Sequence, residues 1–200
     1  MPNSQFPIPD APCPMPNFRL PIIDPSALTM SVNLSPKQLG MPNLLEQIDE
    51  ILAETGCDPS CLKLEITESA IVENVKKANI VLAELKAKKI RLSIDDFGTG
   101  YSSLSYLHRF PLDTLKIDRS FVSRLGTSED GNDGSQHLQI VRAIVTLAHN
   151  LGLEAIAEGV ETAEQLAQLR ELECELAQGY WFSKPLDGNA ITEMLKRAID

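Results

Sequence analysis

The chain has 200 residues, 43% of them hydrophobic and 23% charged, with a net charge of −10. That is the composition of one ordinary soluble domain with a full core. The acidic balance argues against a general binder of nucleic-acid polymers, which needs a basic face, but leaves room for a small phosphate ligand held through cations. Cys13, Cys57, Cys61 and Cys174 show no zinc-ligand spacing and read as free thiols. No apolar run reaches the ~18 residues of a membrane span, and no signal peptide is visible, so the expected location is cytoplasmic.

Ten of the 13 prolines fall within the first 42 residues. Residues 1–28 therefore read as an extended or disordered lead-in, and globular patterning starts at Thr29. From 29 to 200 strand-like runs at 30–34, 62–66, 91–95, 114–117, 154–158 and 176–178 alternate with helical patterns. The first helix carries Leu44, Leu45, Ile48, Ile51 and Leu52 on one face and ends at Gly56, a C-cap. Later helices carry Val81, Leu82 and Leu85, then Leu138, Val141, Ile144, Val145 and Ala148, then Leu166, Leu169 and Leu172, and last Ile191, Met194 and Leu195. Regular β and α alternation predicts a parallel sheet covered by helices. The acidic, Gly-rich stretch 126–135 lacks EF-hand ligand spacing and reads as a solvated loop.

Strand parity narrows the fold. Leu62, Leu64 and Ile66 oppose Lys63 and Glu65; Leu92 and Ile94 oppose Arg91, Ser93 and Asp95; Leu115 and Ile117 oppose Thr114 and Lys116. An open doubly wound sheet needs apolar residues on both faces, whereas a TIM-type (β/α) barrel accommodates polar layers near its mouth. The last polar residues of the strands then gather at one rim: Asn33, Glu65, Asp95, Lys116, Glu158 and Gln178. Each has an ordinary alternative. Asn33 suits a turn cap, Glu65 a pair with Lys63, and Lys116 a pair with Asp118.

Asp95-Asp96-Phe97-Gly98-Thr99-Gly100 is the most telling stretch. Adjacent carboxylates at a strand end repel one another unless cations neutralise them, and an Asp-rich turn is the plain alternative. Asp96-Phe97-Gly98 also matches a protein-kinase tripeptide, but no kinase Gly-rich or catalytic loop accompanies it. Asn, Glu and Asp are hard oxygen donors, which favours Mg²⁺ or Mn²⁺. A shared Asp between two cations suits phosphodiester hydrolysis, with Lys116 orienting water and Glu158 ligating or taking a proton.

The runs Ser31-Val32-Asn33-Leu34-Ser35, Leu64-Glu65-Ile66-Thr67-Glu68-Ser69, 95–103, Leu115-Lys116-Ile117-Asp118, Ala157-Glu158-Gly159-Val160-Glu161 and Gln178-Gly179-Tyr180 resemble the EAL-domain cyclic-di-GMP phosphodiesterases. The resemblance runs from about Thr29 to Leu186. It implies a modified TIM barrel that cuts cyclic di-GMP to linear pGpG with two Mg²⁺ or Mn²⁺ ions, in bacterial second-messenger signalling. It places Asn33, Glu65 and Asp95 on the first metal, and Asp95, Asp96 and Glu158 on the second. It gives Lys116 and Gln178 to the water, and Glu68 to anchoring a substrate loop that includes Phe97, Gly98, Thr99 and Gly100. Glu161 is implied close to the site, and a homodimer or further signalling domains as partners.

One family feature is missing from the sequence. The Glu-x-Leu motif expected well before Asn33, whose Glu ligates metal in the family, has no copy there; Glu154-Ala155-Ile156 lies on a late strand. The chain therefore resembles the last six of eight βα units. The alternative function is a catalytically inactive module that binds cyclic di-GMP or a protein.

Overall fold

The computed structural model describes residues 28–99, 107–126 and 133–199. The lead-in up to residue 27, Gly100 with residues 101–106, and residues 127–132 of the acidic stretch lie outside these. Six strands are described: β1 Met30–Asn33, β2 Leu62–Thr67, β3 Arg91–Phe97, β4 Thr114–Ile117, β5 Glu154–Glu158 and β6 Leu176–Gln178. They form one sheet in the order β1 to β6, every neighbouring pair parallel. The helices are α1 Pro36–Leu39, α2 Leu44–Thr55, α3 Glu68–Glu73, α4 Val75–Ala87, α5 Arg119–Val122, α6 Asp133–Asn150, α7 Ala163–Glu171 and α8 Gly188–Ile199. Sequential parallel strands, joined by helices at every crossover except the partly described one from β3 to β4, follow the wiring of a (β/α) barrel, of which six strands are described.

Local chemistry fixes the crossovers. Ser35 opens α1 with a reciprocal capping box to Gln38, and Pro36 occupies the first turn, where its missing N–H costs nothing. Thr162 and Gln165 form the same box at α7. Gly56 ends α2 in the left-handed region at φ +65°, as its position after Leu52 predicts. Short α1, α3 and α5 were not legible from periodicity, because one or two turns carry too few repeats.

The core lies on the helix-facing side of the sheet. Ile66, Leu92, Ile94, Leu115 and Ile117 are sealed there against Leu82, Leu85, Val122 and Leu169. Burying each such side chain stabilises by about 1.5–3 kcal/mol. The other face is polar yet also buried in the middle strands: Lys63, Glu65, Ser93, Thr114 and Lys116 are all below 8% exposed. Burial holds the Lys63 ammonium below its ordinary value, against the opposing pull of Glu154. At one edge of the sheet β1 is exposed throughout, including Met30 and Val32.

The strands pair in simple register except at one place. Ile94 pairs with Leu115 and Phe97 with Ile117, so β3 spends one residue more than β4 between those pairs. The extra residue is a β-bulge at Asp95-Asp96, and Asp96 takes φ +54°. Asp tolerates that left-handed conformation better than most side chains.

Candidate active site

Lys116, in the centre of β4, is 3% exposed and sits among three carboxylates. Its ammonium is 3.0 Å from Asp95 Oδ1 on β3 and 2.6 Å from Glu158 Oε1 on β5. It also donates a short hydrogen bond to Glu65 Oε2 on β2. One oxygen from each of Glu65, Asp95 and Glu158 lies within 4.8 Å of the others. Four strands thus deliver four charged groups to one point at the C-terminal rim. The ordinary alternatives for Glu65 and Lys116 give way to this arrangement: Glu65 pairs with Lys116, and Asp118 caps α5 by accepting from Ser120 N–H at 2.9 Å.

The charges perturb each other. Burial raises the Glu158 carboxyl above its ordinary value, reinforced by Asp95 and Glu65 and opposed by its hydrogen bond with Lys116. Burial works against the Lys116 ammonium, but the hydrogen bonds it donates to Glu158 and Glu65 outweigh it and raise the group. Asp96 is raised as well, by burial and then by the charges of Asp95 and Asp118. A net negative, partly desolvated pocket of carboxylates fits a hard divalent cation, whose preferred donors are oxygens. The donor set therefore fits a hard divalent cation.

The remaining sequence candidates fall around this centre. Asn33 ends β1 in register with Glu65 and is exposed; Gln178 ends β6 in register with Glu158 and is also exposed. Glu158 and Gln178 share an open cleft with Arg119, Gly159, Glu161, Gly179 and Tyr180. Glu68 is buried at the start of α3 and accepts from Gly98 N–H at 3.3 Å. Thr99 folds its hydroxyl onto Asp96 O at 2.8 Å. Phe97 corrects the loop assignment: it is the last residue of β3, pairs with Ile117 and is 4% exposed, because the bulge turns its ring toward the apolar side. The loop begins at Gly98, and Gly100 lies outside the described residues.

Arg119 escaped the sequence reading. It pairs with Glu161 at 2.6 Å and packs so closely over Gly159 that a Cβ there would lie 2.2 Å from its Cγ. Its place directly after the Lys116-Ile117-Asp118 rim was the available signal.

A sheet of six sequential parallel strands carries this carboxylate–lysine cluster on its polar face, in a barrel-type site whose oxygens can hold a cation. The sequence matches the EAL domain family over residues 18–185, and the chain belongs to that family. It is 44% identical over 169 residues to the protein named cyclic di-GMP phosphodiesterase NbdA of Pseudomonas aeruginosa, covering 84% of this chain and 21% of that protein. The chain thus spans about a fifth of the length of that relative. Among solved structures, the EAL domain of Mycobacterium smegmatis DcpA is similar with a TM-score of 0.77 and 40% identity, over 85% of this chain and 74% of that one. PaMucR phosphodiesterase, solved as a c-di-GMP complex, is similar with a TM-score of 0.75 and 39% identity, over 82% of this chain and 64% of that one. No helix among the described residues is long and apolar enough to cross a membrane.

Proposed function

We propose that residues 29–200 form part of a metal-dependent phosphodiesterase that hydrolyses cyclic di-GMP to linear pGpG. The observation that carries this reading is the convergence of Glu65, Asp95 and Glu158 on Lys116 at the rim. Asn33, Glu65 and Asp95 would hold one Mg²⁺ or Mn²⁺, and Asp95, Asp96 and Glu158 a second. Bound there, the ions supply Lewis-acid activation of water and neutralise charge on the phosphodiester.

The chain's own groups do the rest. Lys116 orients the attacking water and offsets negative charge as it adds to phosphorus, with Gln178 beside it at the rim. Glu158 either serves as a ligand of the second ion or takes the proton released by the attacking water. One ring P–O bond breaks, and the leaving 3′-oxygen is protonated, which leaves a linear dinucleotide with a 5′-phosphate. Glu68 steadies the chain as it leaves β3 through Gly98. Glu161 holds Arg119 over the same cleft.

A second reading, an inactive module that binds cyclic di-GMP, draws support from β1. Asn33 sits on a fully exposed edge strand, so one side of the first cation position is not enclosed. Chromatography of cyclic di-GMP incubated with the chain and Mn²⁺ separates the two. Linear product that vanishes in Asp95→Ala supports hydrolysis. Calorimetric binding without product supports the module, and neither binding nor product rejects both.

A further inference from the structure

Lys116 brings its buried charge to the same three carboxylates whose oxygens cluster tightly enough to surround one ion. An ammonium has three N–H donors, one for each carboxylate. Three negative charges around one positive leave the group net negative, and without Lys116 they would repel at close range in a partly desolvated site. A divalent cation is drawn to the same oxygens by the same force. A cation entering there and the Lys116 ammonium draw on the same carboxylate oxygens, so each weakens the other's hold.

We propose that Lys116 is a resident counterion that competes with a divalent cation for Glu65, Asp95 and Glu158. Its charge then sets how tightly the site holds the cation, and the ammonium must give up part of its carboxylate contacts as the cation enters. The proposal rests on the reading of this cluster as a divalent-cation site. It assigns Lys116 a task separate from orienting water: holding the carboxylates together until a cation takes over part of those contacts.

The test is calorimetric titration of the full chain with Mn²⁺ alone, after treatment with a chelator and buffer exchange. Lys116→Met keeps length and removes charge; Lys116→Arg keeps charge. Competition expects Lys116→Met to bind Mn²⁺ about tenfold more tightly than the native chain, from the loss of a nearby like charge. Lys116→Arg should bind no more tightly than the native chain. Thermal melts should show Lys116→Met unfolding at lower temperature in chelator and gaining more from Mn²⁺. Equal or weaker binding by Lys116→Met, with the native chain still binding, overturns the proposal and leaves the cation site standing. If neither native chain nor variants bind Mn²⁺, the cation reading falls and the proposal with it. Should Lys116→Met be unfolded in chelator, its recovery of cooperative melting on addition of Mn²⁺ supports the proposal, and failure to recover at any Mn²⁺ concentration overturns it.

Discussion

Glu68 and Gly98, thirty residues apart, are joined by a hydrogen bond of 3.3 Å from the Gly98 N–H to Glu68 Oε2. It ties the start of α3 to the turn leaving the Asp95-Asp96 bulge. Glu68 is 7% exposed, so its removal leaves a donor with little water to replace it. Glu68→Ala is expected to cost about 1–3 kcal/mol in chemical denaturation, and Glu68→Gln less. Amide exchange at Gly98 should accelerate in Glu68→Ala; unchanged exchange would rule the tether out.

Two glycines beside the cleft differ in what they face. A Cβ at Gly179 would lie 2.2 Å from Val160 O and 2.3 Å from Val160 N, both backbone atoms. A Cβ at Gly159 would meet only the Arg119 side chain, although Gly159 also has φ +71°. Backbone cannot step aside; the Arg119 Cγ and Cδ can rotate away, though its Cβ, 2.8 Å from the added atom, moves only with its own backbone. Gly179→Ala is therefore expected to destabilise by about 3 kcal/mol or more and Gly159→Ala by about 1–2 kcal/mol. Urea midpoints in the reverse order would contradict this.

Cation binding should appear as stability. A ligand held only by the folded chain adds about 2.7 kcal/mol at a hundredfold excess over its Kd. The native chain should gain about this much with Mn²⁺, and lose it on chelation. Asp95→Asn should abolish most of the gain, since Asp95 belongs to the carboxylate cluster and meets Lys116. An undiminished Mn²⁺ shift in Asp95→Asn would place the ion elsewhere.

The far end of the sheet predicts pH effects of opposite sign. Glu175 accepts from Ala155 N–H at 2.9 Å and meets His149 at 2.6 Å. Burial works against its charge, but the hydrogen bonds with Ala155 and His149 hold the carboxyl below its ordinary 4.5. Its stabilisation is complete above the unfolded value and fades as pH falls through the lower folded value. Glu175→Gln should flatten that acid limb. Cys174 is pushed by burial from 9.0 up to about 11. Between those values the unfolded thiol ionises first, so stability falls as pH rises, and Cys174→Ala should remove that part of the alkaline slope. Thermal midpoints across both ranges read the two effects.

The parity of β2 and β4 was legible because both strands are regular, so alternation alone placed Glu65 and Lys116 on one face. The helices α2, α4, α6, α7 and α8 were legible from their apolar stripes. What could not be read was anything set between strands. Lys116 meets Glu65 across 51 positions of sequence, and only the sheet order decides that it prefers Glu65 to Asp118. The bulge has the same origin: its extra residue is defined against β4, which a single-strand pattern does not contain.

That extra residue changes the phase of the chain. Counting by twos from Ile94 would send Asp96 to the helix side and Phe97 into the polar interior. Instead Ile94 and Phe97 line the same apolar hollow with Ile71, Leu107 and Phe110, while Asp96 stays within reach of the charges of Asp95, Asp118 and Lys116. The irregularity lets one short peptide serve oil and acid at once. Deleting Asp96 would restore plain alternation from Ile94 to Phe97, keeping the ring on the apolar side while taking a carboxylate from the mouth of the site.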